Sequence, residues 1–339
     1  MKYLWSLFVL ALLYTTPAPA ADSVADFYKG KTVTIIIGYS PGGGYDAYAR
    51  ELARHYGKFI PGNPNVIVQN MPGAGSMLAA NYMYSKAVAD GTAIGMFASQ
   101  AALEPLFGNA EAKFDPAKFS WIGSMAQEVA YCGVWQTPGA PATFEELMTK
   151  ETIFGASAPA GTTFQHPAIL KNVLGGKIRI IPGYAGSREI NLAMQKGEVG
   201  GMCALFASSI RAQYKDDFAS GKLKLVIQMG AKRSDEMGKV PTVYDFAKTD
   251  EQRALLDIHF KQLMLSRPFA APPAVPADRL AALRDAFAAT LKDPEFLKEA
   301  EKAGLEIDYA SPAEVNDLLK LYGTFSPEAF KKAAAVVAP

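Results

Sequence analysis

The chain contains few of the residues on which metal centres and covalent catalysis depend. It has 2 cysteines and 3 histidines among 339 residues. The histidines His55, His166 and His259 lie far apart and show no metal-ligand spacing. No phosphate-binding loop or complete dinucleotide fingerprint is present, and Ser157 lacks the G-x-S-x-G context of a hydrolase nucleophile. We therefore expect no enzyme activity, no metal and no cofactor.

An excess of charge of one sign is also missing. Lysine plus arginine amount to 34 residues and aspartate plus glutamate to 33, which gives no field that would attract nucleic acid or an acidic membrane. Hydrophobic residues make up 50% of the chain and charged residues 20%. This balance is typical of a soluble globular protein, and the length suffices for two domains.

The first 20 residues predict a secretory signal peptide rather than folded structure. Lys2 precedes an apolar stretch over residues 4–14, and Ala18-Pro19-Ala20 forms a small-residue cleavage site. The stretch is too short to span a bilayer, and no comparable apolar run follows it. We expect export and cleavage after Ala20.

The segment 32–54, TVTIIIGYSPGGGYDAYARELAR, contains the clearest strand–turn–helix pattern of the chain. Val33 to Ile37 predict a strand buried on both faces. Three glycines, Gly42 to Gly44, then lead directly into a helical pattern. A glycine-rich turn at a helix start exposes backbone N–H groups at the positive end of the helix dipole, which favours an anion. A tight connection without a ligand is the alternative.

Strands and helices alternate through most of the chain, which predicts an α/β fold with mostly parallel sheets. Further glycine- or hydroxyl-rich turns follow strands near residues 70–76, 157–163 and 182–188. If each half of the chain forms its own sheet, these turns face one another across a cleft. Near the C-terminus we predict one helix over 277–304 and another starting at Ser311.

Several segments, in the same order, resemble the extracytoplasmic solute receptors of tripartite tricarboxylate transporters, also called the Bug family. They are PGGGYDAYAR at 41–50, QNMPGAG at 69–75, ADGTAIG at 89–95, the strand and hydroxyl turn at 153–163, GYAGS at 183–187, KGEV at 196–199 and VPTVYDF at 240–246. Together they cover nearly the whole chain after the signal peptide.

The resemblance implies a two-lobed periplasmic binding protein of type II, with a mixed, mostly parallel sheet in each lobe and a hinged cleft. Residues 21–128 and 248–339 would form lobe 1, and residues 129–247 would form lobe 2. The protein would act as a monomer that captures a di-, tri- or aromatic carboxylate and delivers it to an inner-membrane permease. No nucleic-acid partner is implied.

The resemblance also implies which residues contact the ligand. They are Ser40, Gly42, Gly43, Gly44, Asp46, Gly73, Ala74 and Gly75 in lobe 1, and Ser157, Gly161, Thr162, Thr163, Gly186 and Ser187 in lobe 2. To these we add Tyr45 and Arg188, which neighbour the same turns, as candidate ligand residues. Many family members carry an acidic residue where this chain has Gly200, which argues against a ligand ammonium group. Arg188 instead offers a guanidinium to a second carboxylate.

Two other functions remain open at this point: an exported α/β hydrolase-like enzyme, and a carboxylate-sensing receptor for a signalling partner. Aromatic residues near the turns offer a wall for an aromatic carboxylate, although such residues more often belong to a core. They are Tyr39, Tyr45, Phe97, Phe164 and Phe206.

The two cysteines lie in predicted strands of lobe 2. In proteins of the kind this chain resembles, the strand that enters lobe 2 pairs antiparallel with the later strand that would carry Cys203. We therefore hypothesise a disulfide between Cys132 and Cys203 in an oxidising compartment. Two small buried thiols are the alternative.

Overall fold

The structure is a computed structural model that describes residues 23–339. The predicted signal peptide lies outside these residues. Two five-stranded sheets, each flanked by helices, form two lobes. None of the helices within the described range has the length and apolar character needed to cross a membrane.

The first sheet combines parallel strands with one antiparallel strand from the distant C-terminal part of the chain. Its strands are β1 (Thr32–Ile37), β2 (Asn65–Asn70), β3 (Ala93–Met96), β4 (Ser120–Ser124) and β10 (Pro268–Ala271). Their order is β2-β1-β3-β10-β4. β1 pairs in parallel with β2 and β3, whereas β10 is antiparallel to β3 and β4. The predicted buried strand at Val33 to Ile37 is confirmed as the main part of β1.

The second sheet has the same plan. Its strands are β5 (Ala130–Trp135), β6 (Thr152–Gly155), β7 (Ile178–Ile181), β8 (Gly201–Phe206) and β9 (Leu223–Met229), in the order β7-β6-β8-β5-β9. β6 is parallel to β7 and β8, and β5 is antiparallel to β8 and β9. Cys132 of β5 and Cys203 of β8 are joined by a disulfide across this antiparallel pair.

Apolar side chains are buried on both faces of each sheet, because helices cover both faces. The α-helices are α1 (Val24–Tyr28), α2 (Gly44–Tyr56), α3 (Met77–Ser85), α4 (Ser99–Leu103), α5 (Phe144–Leu147), α6 (Thr162–Asn172), α7 (Ser187–Gln195), α8 (Ala207–Gln213), α9 (Lys215–Ala219), α10 (Asp250–Phe260), α11 (Ala277–Thr290), α12 (Pro294–Lys302), α13 (Pro312–Tyr322) and α14 (Pro327–Val336). Short 3-10 helices cover Gly57–Phe59, Ala74–Ser76, Pro116–Lys118, Val243–Asp245 and Lys261–Leu265.

The prediction of one helix over 277–304 is wrong, because the chain breaks between α11 and α12. The Asp293 carboxylate accepts a hydrogen bond from the Phe296 N–H at 3.3 Å, which starts a new helix. Pro294 follows at the first helical position, where its missing N–H costs nothing. The predicted helix start at Ser311 is confirmed, with reciprocal hydrogen bonds between Ser311 and Glu314.

Two chain segments connect the lobes and run side by side, residues 125–129 and 261–267. The Glu128 N–H donates to the Ser266 hydroxyl at 2.9 Å, and the Ser266 N–H donates to the Ala126 carbonyl at 3.0 Å. The Met125 N–H donates to the Arg267 carbonyl at 3.0 Å. Paired crossing segments of this kind allow the lobes to rotate about them as a hinge.

The C-terminal helices contact both lobes. Leu256 and Phe260 of α10 belong to the core beneath the second sheet, and Val337 joins them there. Ile258 of the same helix faces a core of the first lobe. The domain boundary at residue 248 therefore remains a prediction, since α10 packs against both halves.

Candidate functional site

A small cavity lies between the lobes, where loops that follow the strands of both sheets meet. Its volume is about 40 Å³, which is room for about two or three water molecules. The first lobe and its connection contribute Tyr39, Ser40, Gly43, Gly44, Tyr45 and Arg267 to the cavity wall, and the second lobe contributes Thr162, Thr163, Gly186, Ser187, Ala204, Phe206 and Ser209.

The glycine loop after β1 brings backbone, rather than side chains, to this cavity. Gly42 has a φ of +83°, a left-handed conformation that glycine adopts without strain. Gly43 precedes the first residue of α2 and makes no side-chain cap. The start of α2 therefore points its positive dipole end towards the cavity.

Asp46 holds this loop in place from behind. Its carboxylate accepts hydrogen bonds from the Gly42 N–H at 2.8 Å, from Arg50 at 2.9 Å and from Asn70 at 2.9 Å. Burial raises the pKa of Asp46, but these hydrogen bonds outweigh it and hold the pKa below its ordinary value. Asp46 is not part of the cavity wall. Its hydrogen bonds stabilise the conformation of the loop.

The second lobe supplies hydroxyl groups and two more helix starts. The Ser157 N–H donates to the Thr163 hydroxyl at 2.9 Å, and the two hydroxyl groups lie 2.8 Å apart. Gly161 precedes α6, and Gly186 precedes α7. Both helices begin at the cavity, because Thr162 and Ser187 line it.

Direct contacts close the cleft around the cavity. The Ser40 hydroxyl of the first lobe donates to the Glu189 carboxylate of the second at 3.0 Å. With its amide oriented to satisfy both groups, Gln213 donates to the Gly42 carbonyl and accepts from the Gly44 N–H, each at 3.2 Å. The predicted turns of the two halves thus face one another across a closed cleft.

A second space adjoins the first and shares Tyr39 with it. Its volume is about 340 Å³, and Gly73, Ala74, Gly75 and Ser157 contribute to its wall. Gly75 packs closely against the second lobe, and a Cβ at this position would clash with the backbone of Gly161. Residues of both lobes line each of the two spaces.

The structure distributes the predicted ligand residues among these surfaces. Those that line neither space are Gly42, Asp46, Gly161 and Arg188. Arg188 is exposed at the rim of the cleft, where a Cβ at Gly42 would lie 3.2 Å from its side chain. Tyr39, Tyr45 and Phe206 line the smaller cavity, whereas Phe97 and Phe164 are core residues.

The sequence analysis missed Arg267, Ser209 and Ala204 as cavity residues. Ala204 has a φ of +60° at an irregularity of β8, and Ser209 lies close to Gly44. Arg267 is fully buried at the end of the second crossing segment. No glycine turn marks its position in the sequence, so the folded chain alone reveals it.

Two lobes that meet around a cavity, joined by paired crossing segments, have the architecture of periplasmic binding proteins. The model of the tripartite tricarboxylate transporter family receptor matches residues 49–322. The chain belongs to this receptor family. Its members bind substrates rather than convert them, which agrees with the expectation that the protein is not an enzyme.

Known relatives and structures agree with this assignment. A UPF0065 protein of Cupriavidus necator is 26% identical, and the match covers 94% of this chain and 90% of that protein. The periplasmic binding protein BugD superposes with a TM-score of 0.70 at 21% identity, over 90% of this chain and 98% of BugD. MatC from Rhodopseudomonas palustris, solved with bound malate, superposes with a TM-score of 0.69 at 17% identity, over 91% of this chain and 99% of MatC.

Proposed function

We propose that the protein is exported to the periplasm with cleavage after Ala20, captures a small carboxylate between its lobes, and delivers it to a permease of the tripartite tricarboxylate type. The observation that carries this proposal is the composition of the cavity wall. Helix starts from both lobes, hydroxyl groups and one arginine line the smaller cavity. Each of these groups favours an anion with oxygen acceptors.

A single glycine loop is too weak to hold such a ligand. A helix N-terminus stabilises an anion by about 0.3–1 kcal/mol, and by up to about 2 kcal/mol when the site is partly buried. Micromolar affinity requires about 8 kcal/mol. The contributions of both lobes must therefore be combined, and closure combines them by bringing the second-lobe hydroxyls against the first-lobe loop.

The volume of the cavity indicates how binding proceeds. A carboxylate of several carbons needs more space than about 40 Å³, so it enters only when the lobes move apart. Reclosure then excludes water and strengthens each polar contact. The closed surface is the one that a permease would recognise.

A thermal-shift screen tests the proposal. We expect purified mature protein to be stabilised by at least one member of a panel of acetate, benzoate, malate, adipate and citrate, without consumption of the compound. Stabilisation follows from binding to the folded state alone, by about 2.7 kcal/mol at a hundredfold excess over Kd. Failure of every carboxylate in calorimetry as well would contradict the proposal.

A further inference from the structure

A buried ion pair lies beside the cavity. Arg267 and Glu128 have side chains with 0% exposure, and their closest nitrogen and oxygen atoms are 3.0 Å apart. Among the described residues that line the cavity, Arg267 is the only one with a charged side chain. A buried guanidinium is costly unless its donors are satisfied, so its hydrogen bonds indicate what the site requires.

The hydrogen bonds of Arg267 are incomplete. Nη1 donates to the Ser266 carbonyl at 3.1 Å. Nε and Nη2 have no aligned acceptor within the described part of the chain, although Nη2 is close to Glu128. Nε and Nη2 form the edge of the guanidinium that binds a carboxylate through two parallel hydrogen bonds. Within the described residues, no protein acceptor is aligned with this edge.

Aromatic rings hold the guanidinium in position. Its central carbon lies 4.7 Å from the ring centres of Tyr45 and Tyr48 in the first lobe, and 4.3 Å from that of Phe206 in the second. Cation–π contacts of this kind stabilise a desolvated arginine. In the closed structure these rings hold the guanidinium between the two lobes.

Glu128 is held by the second lobe as well. The Oε1 atom of Glu128 accepts a hydrogen bond from the Ser208 hydroxyl. The Oε2 atom, which lies nearest to Arg267, has no aligned donor. Glu128 thus neutralises the charge of Arg267 but makes no aligned hydrogen bond to its Nε and Nη2 atoms.

We propose that Arg267 is the charged anchor for the carboxylate of the ligand, and that Glu128 is its counter-ion in the absence of ligand. This inference rests on the proposed function. A ligand carboxylate on the Nε–Nη2 edge lies close to the Glu128 carboxylate, and the two negative charges compete for one guanidinium. Removing the charge of Glu128 should therefore strengthen carboxylate binding, which a purely structural ion pair would not do.

Two variants isolate the charge of Arg267, Glu128→Gln and the double variant Glu128→Gln/Arg267→Gln. Glu128→Gln leaves the Arg267 guanidinium buried without its counter-ion, which lowers stability, whereas the double variant contains neither buried charge. Circular dichroism and thermal unfolding check the fold. Calorimetry then measures binding of acetate, benzoate, malate, adipate and citrate, with acetamide as the neutral analogue of acetate.

We expect Glu128→Gln to bind the carboxylates that bind the wild type, with higher affinity. The double variant should bind them about 10- to 100-fold more weakly than Glu128→Gln, as expected for loss of hydrogen bonds to a charged group. Acetamide should not distinguish the two variants. The exposed, distant Arg179→Gln serves as the matched control and should bind as the wild type does.

The outcomes separate this inference from the function on which it rests. If carboxylates bind the wild type but the two Glu128 variants bind them equally, Arg267 is not the anchor and only this inference fails. The same holds if Arg188→Gln, rather than the double variant, removes carboxylate binding. If no carboxylate of the panel binds the wild type or Glu128→Gln, the proposed function fails as well.

Discussion

At the scale of single residues, the space beside Gly43 determines whether an anion can approach the first helix. A Cβ at this position would lie 3.3 Å from the Ser187 hydroxyl oxygen across the cleft. The φ of Gly43 is −86°, which other residues adopt freely. A side chain there would therefore fill the cavity without straining the backbone.

Gly43→Val should weaken carboxylate binding by at least about tenfold, because its branched side chain occupies the place of the anion. The unfolding temperature should stay close to that of the wild type. Calorimetry and thermal unfolding measure both quantities, and Gly43→Ala should show a smaller loss. Wild-type affinity in a folded Gly43→Val protein would contradict the assignment of this loop to the site.

The sequence predicts residues of the glycine loop far better than it predicts Arg267. The loop follows directly from a buried strand, a run of glycines and a helix start, all within 23 consecutive positions, 32–54. Arg267 has no such local signal and reaches the cavity only through the crossing of the chain between lobes. Asp46 is the opposite case. It lies within the sequence motif, but its carboxylate binds Gly42 and Asn70 and does not line the cavity.

At the scale of elements, the antiparallel pair of β5 and β8 carries the disulfide between Cys132 and Cys203. Both cysteines are fully buried, and the bond encloses a separation of 71 residues. Cross-linking a segment of this length restricts the unfolded chain, which stabilises the fold by about 2–4 kcal/mol. The bond lies within one lobe and leaves the hinge unconstrained.

We expect alkylation of the denatured, unreduced protein to modify neither cysteine in material exported to an oxidising compartment. Mass spectrometry after alkylation, with and without a reductant, measures this. Reduction should lower the midpoint of urea unfolding, whereas a Cys132→Ala/Cys203→Ala variant should be insensitive to the reductant. Two alkylated thiols in the unreduced sample would show that the bond does not form.

Elements with strong local patterns are predicted well, and short elements defined by distant partners are not. β1 is recognisable from its β-branched residues, and Ser311 from its capping box. β10 spans Pro268–Ala271 and begins with proline, so its sequence gives little indication of a strand. It forms because β3 and β4 leave a place between them in the sheet, and this tertiary pairing also positions the preceding Arg267.

At the scale of the whole molecule, a group of charges lies where the lobes meet near Glu306. The Glu306 carboxylate of the first lobe lies 4.0 Å from Arg211 of the second, which also pairs with Glu236. Burial, together with the negative charges of Glu236 and Glu128, raises the pKa of Glu306 to about 7. The closed arrangement therefore favours the protonated form of Glu306.

The sign of the resulting pH dependence follows from this shift. Because the folded-state pKa lies above the ordinary value of 4.5, the folded protein binds more protons than the unfolded chain between these two pH values. The contribution of Glu306 to stability is thus lost as the pH rises from about 4.5 to about 7. Glu306→Gln should remove this loss.

Thermal unfolding of the wild type and Glu306→Gln across pH 4.5 to 8 measures the effect. The two proteins must be compared at each pH, because two buried histidines also change the stability. Burial lowers the pKa of His166 to about 3 and that of His259 to about 4, so their contribution to stability rises with pH, whereas that of Glu306 falls. The difference between the two proteins should grow in favour of the variant as the pH rises. If the unfolding temperatures of the two proteins change in parallel with pH, the ionisation of Glu306 does not lower the stability of the folded protein.

The pairing of both natural cysteines makes the protein suitable as a fluorescent sensor. A cysteine introduced at the cleft rim, as in Arg188→Cys, would be the only free thiol and would accept a single dye. Since Arg188 packs beside Gly42 of the opposite lobe, the dye would change surroundings when the lobes part or close. Carboxylate addition should alter its emission, whereas a dye at Arg179→Cys, exposed on the second lobe alone, should report no change.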